Sequence, residues 1–221
     1  MAEQLTFDWP QGVALGADDF FVSDANAQAY AMVLAPATWP ERKLALIGPC
    51  GSGKTHLARI LIGQTGGTAH HSSALPDLPQ AGATVVIHDM HALPDHAQEH
   101  MFHLHNHLRN TGGSLLMTAT CPPSRWDIAL PDLASRMQAA TVATIDQPDD
   151  ALLQALFMKL FADRQISPAP ELIRYLATRC ERSFDAVAAL VDRLDRIALE
   201  ESRPITRALA RRLLDNGAQD G

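Results

Sequence analysis

The segment of residues 48–55 constrains the fold of this chain more than any other. It reads GPCGSGKT and fits the pattern G-x-x-x-x-G-K-[ST]. The apolar run KLALI precedes it, and the segment HLARILIGQT, with apolar residues at helical spacing, follows it and stops at Gly66. This order of strand, glycine-rich turn and helix predicts the first unit of an α/β fold with a parallel sheet.

The turn also has the chemistry of a phosphate site. Its backbone N–H groups, at the N-terminus of a helix, can form a nest for an anion. The Lys54 side chain can reach the outer phosphates, and the Thr55 hydroxyl can bind Mg²⁺. We therefore predict that ADP or ATP is bound by Gly48, Pro49, Cys50, Gly51, Ser52, Gly53, Lys54, Thr55 and His56.

The rest of the chain divides into three parts. Residues 1–19 carry large apolar side chains without a helical or strand period, and we expect a flexible N-terminal tail. Residues 20–147 contain further β-branched runs at 83–90, 114–120 and 140–145, with helical segments between them, which predicts a doubly wound α/β nucleotide-binding domain. Residues 148–221 show only helical periods and are predicted to form a small all-helical domain.

A magnesium site in such a domain needs a carboxylate at the end of a neighbouring strand. The run VVIHD (85–89) is the candidate, and it puts His88 where the metal-binding acid is expected. Either Asp89 holds the metal together with Thr55, or His88 weakens metal binding. Both alternatives predict slow intrinsic hydrolysis of ATP; a third is that Asp89 only caps the next turn.

The charge of the chain excludes a broad DNA-binding surface. Its 18 Lys and Arg face 25 Asp and Glu, which leaves a net charge of −7, so we expect no strong direct DNA binding. Residues 163–212 differ, with ten Arg against eight acids, so any anion-facing surface is expected near the C-terminal end. Three separated cysteines and the lack of a long apolar run predict a cytoplasmic protein with no membrane segment.

Seven of the ten histidines fall between residues 88 and 107. Four of them are spaced to share one face of a predicted helix, namely His96, His100, His103 and His107. Zinc binding is one interpretation, but no cysteine joins them, and we favour solvated or packing histidines.

Several segments together resemble the AAA+ domain of the bacterial replication initiator DnaA, and more closely the short Hda proteins related to it. They are GPCGSGKTHLA (48–58), FHLHN (102–106), TATCPPSRW (118–126), LPDLASRM (130–137) and VDRLDRIAL (191–199). The resemblance implies an AAA+ P-loop domain with a parallel sheet flanked by helices, followed by a helical lid.

The resemblance also assigns roles to residues outside the P-loop. Proteins of this family bind the DNA polymerase III sliding clamp through a short N-terminal peptide, which QLTFDW (4–9) resembles. Gln4 would fix the register, and Leu5, Phe7 and Trp9 would be apolar anchors. The alternative is a tail that folds back onto its own domain.

Two arginines follow from the same resemblance. Arg136 in LPDLASRM matches the family's arginine finger, which acts in trans on the ATP of a neighbouring subunit. Its local alternative is an ion pair with Asp132, one helical turn earlier. Asp185 occupies the position of the lid's sensor arginine, and Arg182, three residues earlier, is the candidate to replace it at the nucleotide.

The family therefore implies a negative regulator of replication initiation, which binds the clamp and promotes hydrolysis of DnaA-bound ATP. The alternatives are a self-sufficient ATPase, such as a DnaC-like helicase loader, and a small-molecule P-loop kinase, in which the N-terminal peptide would have no role. The sequence leaves open which nucleotide is preferred and whether the protein forms a homo-oligomer.

Overall fold

Five parallel strands, in the order β2-β3-β4-β1-β5, form the centre of the computed structural model, which describes residues 20–217. The strands are β1 (Lys43–Ile47), β2 (Thr68–His71), β3 (Thr84–His88), β4 (Ser114–Ala119) and β5 (Thr141–Thr144). The helices are α1 (Ala27–Val33), α2 (Lys54–Thr65), α3 (Gln98–Thr111), α4 (Pro131–Gln138), α5 (Asp150–Asp163), α6 (Pro170–Ala177), α7 (Phe184–Glu200) and α8 (Arg207–Gly217).

The strand β1 is apolar almost throughout because helices cover the sheet on both faces. Its Leu44 and Leu46 pack in one core with α1 and α2. Its Ala45 and Ile47 point to the opposite face and pack in a second core with α3 and α4. Thus α2, which follows the P-loop, and α4, which carries Arg136, lie on opposite faces of the sheet.

The last four helices share a third core, built around Phe157, Phe161 and Leu194. Three of these helices begin at capping side chains, with Thr206 before α8 among them. The Asp149 carboxylate accepts a hydrogen bond from the Leu152 N–H at 2.8 Å before α5, and the Ser183 hydroxyl accepts one from the Ala186 N–H at 3.0 Å before α7. These caps fix where the helical bundle starts and where its long helix α7 begins.

The predicted fold class, a parallel α/β sheet with flanking helices followed by a helical lid, is confirmed. The edge strand β2 was not expected from the sequence. It reads TAHH and is mostly exposed, so neither an apolar run nor an alternation marks it. The predicted tail at residues 1–19 lies outside the described residues.

Two histidines of α3 contact the loop between β2 and β3. Nε2 of His100 lies 2.8 Å from the carbonyl oxygen of Pro76, and Nε2 of His107 lies 2.7 Å from that of Pro79. These contacts fasten the connection between β2 and β3 to the helix. Between residues 20 and 217, no group of three or more His, Cys, Asp or Glu could hold a metal ion. No helix in the same range is long and apolar enough to cross a membrane.

One histidine of α3 is buried against charged groups. His105 is only 2% exposed, and the buried Lys43 ammonium lies nearby, paired with Glu41 at 2.7 Å. Burial, together with the positive charges of Lys43 and Arg136, lowers the pKa of His105 to about 4. The native protein therefore keeps His105 neutral at pH values where an unfolded chain protonates it.

This burial predicts an acid-sensitive stability. Between about pH 6.5 and pH 4 the unfolded chain binds the extra proton, so the free energy of unfolding falls as the pH is lowered through this window. From pH 7 to pH 5, His105→Leu should lose about 2 kcal/mol less of this free energy than the wild type. Urea unfolding at pH 7 and pH 5 measures the free energy of unfolding of each protein. The control His103→Leu, at a side chain 61% exposed on the same helix, should behave as the wild type; an identical loss in the His105 variant would contradict the prediction.

Candidate functional site

The turn between β1 and α2 adopts a backbone that only glycine allows easily. Gly51 has φ +70° and Gly53 has φ +91°, both in the left-handed region. A Cβ atom on Gly53 would lie 2.8 Å from the Phe20 ring, and one on Gly51 would lie 3.0 Å from Cβ of Phe184. Gly53, the second glycine of the motif, and Gly51, at one of its variable positions, therefore suit both the turn and the close approach of these phenylalanines.

Two side chains of the turn are placed to meet an anion. Lys54 is nearly buried, and its ammonium donates hydrogen bonds of 2.7 Å to the carbonyl oxygens of Gly48 and Pro49. Burial lowers the pKa of Lys54. The Ser52 hydroxyl is buried and has no hydrogen-bond partner in the described part of the chain. Phosphate oxygens could accept from both groups, so the residues present fit the nucleotide that the motif predicts.

A cavity of about 830 Å³ lies beside this turn. Its lining comprises Gly51, Ser52, Gly53, Lys54, Thr55, His56, Arg59, Ile60, Gly63 and Lys159. Two basic residues of this lining, Arg59 and Lys159, were not predicted from the sequence. Arg59 lies one turn after Thr55, where the helical period could have indicated it, whereas Lys159 comes from α5 and no sequence signal connects it to the turn.

The end of β3 carries an imidazole and not a carboxylate. Nδ1 of His88 lies 3.1 Å from the Thr118 hydroxyl on β4, and burial lowers the pKa of His88, so the ring is neutral near pH 7. Asp89 follows with φ +57°, and its Oδ2 lies 3.2 Å from Nε2 of His71 on β2. Asp89, the acid predicted to bind a metal, is thus already in contact with a histidine of the edge strand.

The lid helix α7 brings an acid to the phosphate turn. Asp185 lies in the first turn of α7, and its Oδ1 would be 3.5 Å from a Cβ atom on Gly51. Arg182 pairs instead with Asp150, whose Oδ1 lies 2.6 Å from Nη2. Binding of phosphate by Arg182 would therefore require this ion pair to open.

Arg136 lies in the last turn of α4 and is held by uncharged groups. Its Nη1 donates a hydrogen bond of 2.8 Å to Oδ1 of Asn106, and its Cζ lies 4.9 Å from the centre of the Phe102 ring. Among the described side chains of residues 20–214, no carboxylate lies within ion-pair distance of Arg136, and the alternative pair with Asp132 is not formed. Asn106 and Phe102 belong to the segment FHLHN, on the helix α3 that packs against α4.

The structure thus collects the predicted residues at two places. The P-loop residues 48–56 and Asp185 lie at one end of the sheet, whereas Arg136 belongs to the helix layer on the face opposite α2. The predicted peptide residues Gln4, Leu5, Phe7 and Trp9 lie outside the described residues.

Known proteins are similar to this chain over both the sheet domain and the helical lid. The model of the family "Hda, lid domain" matches residues 149–214. The chromosomal replication initiator protein DnaA of Cutibacterium acnes is 23% identical over 237 residues, which covers 92% of this chain and 46% of that protein. The chain spans about half the length of the curated DnaA relatives that it matches.

Solved structures match over both parts of the described chain. Domain III of DnaA from Thermotoga maritima is similar with a TM-score of 0.70 at 20% identity, covering 89% of this chain and 94% of that one. AMPPCP-bound DnaA from Aquifex aeolicus is similar with a TM-score of 0.59 at 16% identity, covering 80% of this chain and 63% of that one. At these identities the structural matches show the fold. Residues 149–214 match the lid domain of the Hda family, and the chain is similar to DnaA proteins over 90% or more of its length.

Proposed function

We propose that this chain is a negative regulator of replication initiation, which promotes the hydrolysis of ATP bound to DnaA. The observation that carries the proposal is the environment of Arg136. Its guanidinium is held by an amide and an aromatic ring, and no carboxylate in the described chain neutralises it. The full charge is therefore available to an anion outside this chain, such as the γ-phosphate of ATP in an adjoining AAA+ protein.

An arginine in this position would act on the charge that develops during phosphoryl transfer. A guanidinium supplied in trans to a P-loop NTPase typically raises the rate about 10³–10⁵-fold. The hydrogen bond from Nη1 to Asn106 and the stacking over Phe102 already restrict the Arg136 side chain. It would therefore lose less conformational entropy when it binds the phosphate. Its remaining N–H groups can then form the planar, bidentate contact that a phosphate prefers.

The chain's own nucleotide would be a structural ligand. Lys54, Thr55 and the backbone of residues 48–53 would hold the phosphates of ADP or ATP, and the unpartnered Ser52 hydroxyl supports an anion at this place. The likeness to an AMPPCP-bound DnaA also supports a nucleotide. Mg²⁺, with Thr55 and Asp89 as its protein ligands, would supply charge neutralisation, and Lys159 of α5 would join the lid to the phosphates.

Two features argue against a self-sufficient ATPase or helicase loader. The neutral His88 ring stands at the end of β3, where a metal-binding carboxylate is expected. Asp185 approaches the P-loop where a sensor arginine is expected, and a carboxylate repels phosphate charge. Both features predict slow hydrolysis at the chain's own site, so they favour a protein that activates another ATPase.

The N-terminal peptide would bring the protein to its place of action. Gln4, Leu5, Phe7 and Trp9 combine an amide with apolar anchors, a pattern suited to a peptide that fills pockets on a partner surface. With the sliding clamp of DNA polymerase III as that partner, the regulator would act only where a clamp is loaded on DNA. In this way DnaA would be inactivated after replication has begun.

The first prediction from this proposal concerns the P-loop. Lys54→Ala should weaken the binding of ADP and ATP at least tenfold, because a charge-assisted contact to phosphate contributes about 1.5–3 kcal/mol. Calorimetric titration measures the affinities. The control Lys159→Ala removes a cation from the lining of the same cavity and should weaken nucleotide binding less. Unchanged affinities of the Lys54 variant for ADP and ATP would contradict the proposed nucleotide site.

The second prediction concerns the N-terminal peptide. Replacing Gln4, Leu5 and Phe7 together by Ala should abolish binding to the clamp, because such anchors act at the interface. Surface plasmon resonance on immobilised clamp measures the loss. The control replaces Gln11, Val13 and Leu15, an amide and two apolar residues of the same segment, and should bind normally. A marked drop in melting temperature for the first variant would support a tail packed on its own domain.

The third prediction concerns the arginine finger. Arg136→Ala should fold and should bind nucleotide and clamp as the wild type does. The stimulated rate of ATP hydrolysis on DnaA should fall by about 10³-fold, or to the basal rate of DnaA alone if that is reached first. Arg136→Lys should also fail, because an ammonium lacks the planar fork. Conversion of labelled ATP on DnaA to ADP follows the reaction.

Two further variants sharpen this test. Arg125→Ala removes an exposed arginine after β4 and should stimulate as the wild type does. Asn106→Asp supplies a carboxylate to Arg136, so an ion pair should form and the stimulation should fall although the guanidinium is intact. Stimulation by Arg136→Ala within a few-fold of the wild type would mean that Arg136 is not the finger.

A further inference from the structure

The lid carries a second cavity, which shares no lining residue with the cavity at the P-loop. It has a volume of about 560 Å³ and is lined by Tyr175, Arg179, Arg207, Ala208 and Arg211. We call it the lid arginine pocket. Three of its five lining residues are arginines, although the chain as a whole has a net charge of −7.

A single aromatic ring holds two of these arginines in place. Tyr175 on α6 is 8% exposed, so its ring is part of the lid core. The Cζ atom of Arg179 lies 4.3 Å from the ring centre, and that of Arg207 lies 4.7 Å from it. Arg179 follows α6 and Arg207 begins α8, so two separate elements converge on the ring. Stacking of this kind orders a guanidinium without neutralising it.

The charges of these two arginines are not balanced within the described chain. No carboxylate of residues 20–214 lies within ion-pair distance of Arg179 or Arg207. Neighbouring lid arginines differ, since Arg212 lies 2.6 Å from Glu201 and Arg174 lies 3.5 Å from Glu171. The first turn of α8 also contains no acidic residue. Two like charges on one ring repel each other, and an anion bound between them would relieve that repulsion.

We propose that the lid arginine pocket binds a phosphoryl group. Its guanidiniums offer planar pairs of N–H donors, which match the oxygens of a phosphate, and the negative charge of a phosphoryl group balances two fixed cations. The group is carried either by a small phosphorylated molecule or by a DNA strand. The pocket lies apart from Arg136 and from the P-loop, so it does not depend on the function proposed above.

The experiment uses the full chain with Lys54→Ala, so that the P-loop contributes little to phosphate binding. Pyrophosphate is titrated by calorimetry, and a fluorescein-labelled 15-nucleotide single strand is titrated by fluorescence anisotropy. The test variant adds Arg179→Gln and Arg207→Gln. The control adds Arg193→Gln and Arg196→Gln, which remove the same two charges from exposed positions of α7 outside the pocket. Thermal unfolding checks that each variant folds, and the single variant Arg179→Gln serves if the double variant does not.

The test variant should bind pyrophosphate at least about tenfold more weakly, and the control should stay within about twofold, because exposed charges outside the pocket are screened. Arg179→Lys with Arg207→Lys should keep part of the affinity. Loss of pyrophosphate binding alone assigns the site to a small phosphorylated molecule. A parallel, salt-dependent loss of oligonucleotide binding assigns it to a DNA strand.

Three results would overturn the proposal. The first is that neither probe binds to the chain with an intact pocket, and the second is equal affinity of the test and control variants. The third is tighter binding of a ten-residue glutamate peptide than of pyrophosphate, with the same dependence on Arg179 and Arg207. This last result would make the pocket a docking site for an acidic protein segment.

Discussion

The rest of the structure depends on the close packing of three side chains, from the start of the sheet domain, its end and the lid, against the glycines of the P-loop. Phe20 lies against Gly53, Phe184 lies against Gly51, and Ile145 lies close to Gly48, so the glycines admit side chains from three parts of the chain. Phe184 begins the lid helix α7, and Ile145 follows the strand β5. A group bound in the turn therefore contacts the place where the sheet and the lid meet, which is why the proposed nucleotide can be structural.

The two faces of the sheet separate two kinds of chemistry. The helix α2 and the P-loop belong to one face, where the proposed nucleotide site has the neutral His88 at the end of β3 and Asp185 close to the turn. The helix α4 belongs to the other face, where the partners of Arg136 are an amide and an aromatic ring and not a carboxylate. This arrangement supports the proposal that one set of residues binds a nucleotide while another offers a catalytic group to a partner.

Local sequence patterns predicted those elements of the fold whose apolar periodicity and turn residues are visible in a short segment. The apolar run KLALI, the glycine turn and the helix after it form β1, the P-loop and α2 where expected, because periodicity and turn chemistry there agree. The strand β2 was missed because TAHH pairs at an exposed edge and buries little. The contacts between His71 and Asp89 and between Asn106 and Arg136 were also missed, since they join residues 18 and 30 positions apart and no spacing rule connects them.

The central claim is that this chain activates hydrolysis of ATP bound to another protein. The most direct measurement follows DnaA-bound ATP in four reactions: DnaA alone, with this protein, with the clamp loaded on DNA, and with both. The account predicts rapid conversion to ADP only in the fourth reaction, together with slow hydrolysis by this protein on its own. Conversion at the same rate in all four reactions, or steady hydrolysis near 1 s⁻¹ by the isolated protein, at the low end of typical enzyme rates, would contradict it.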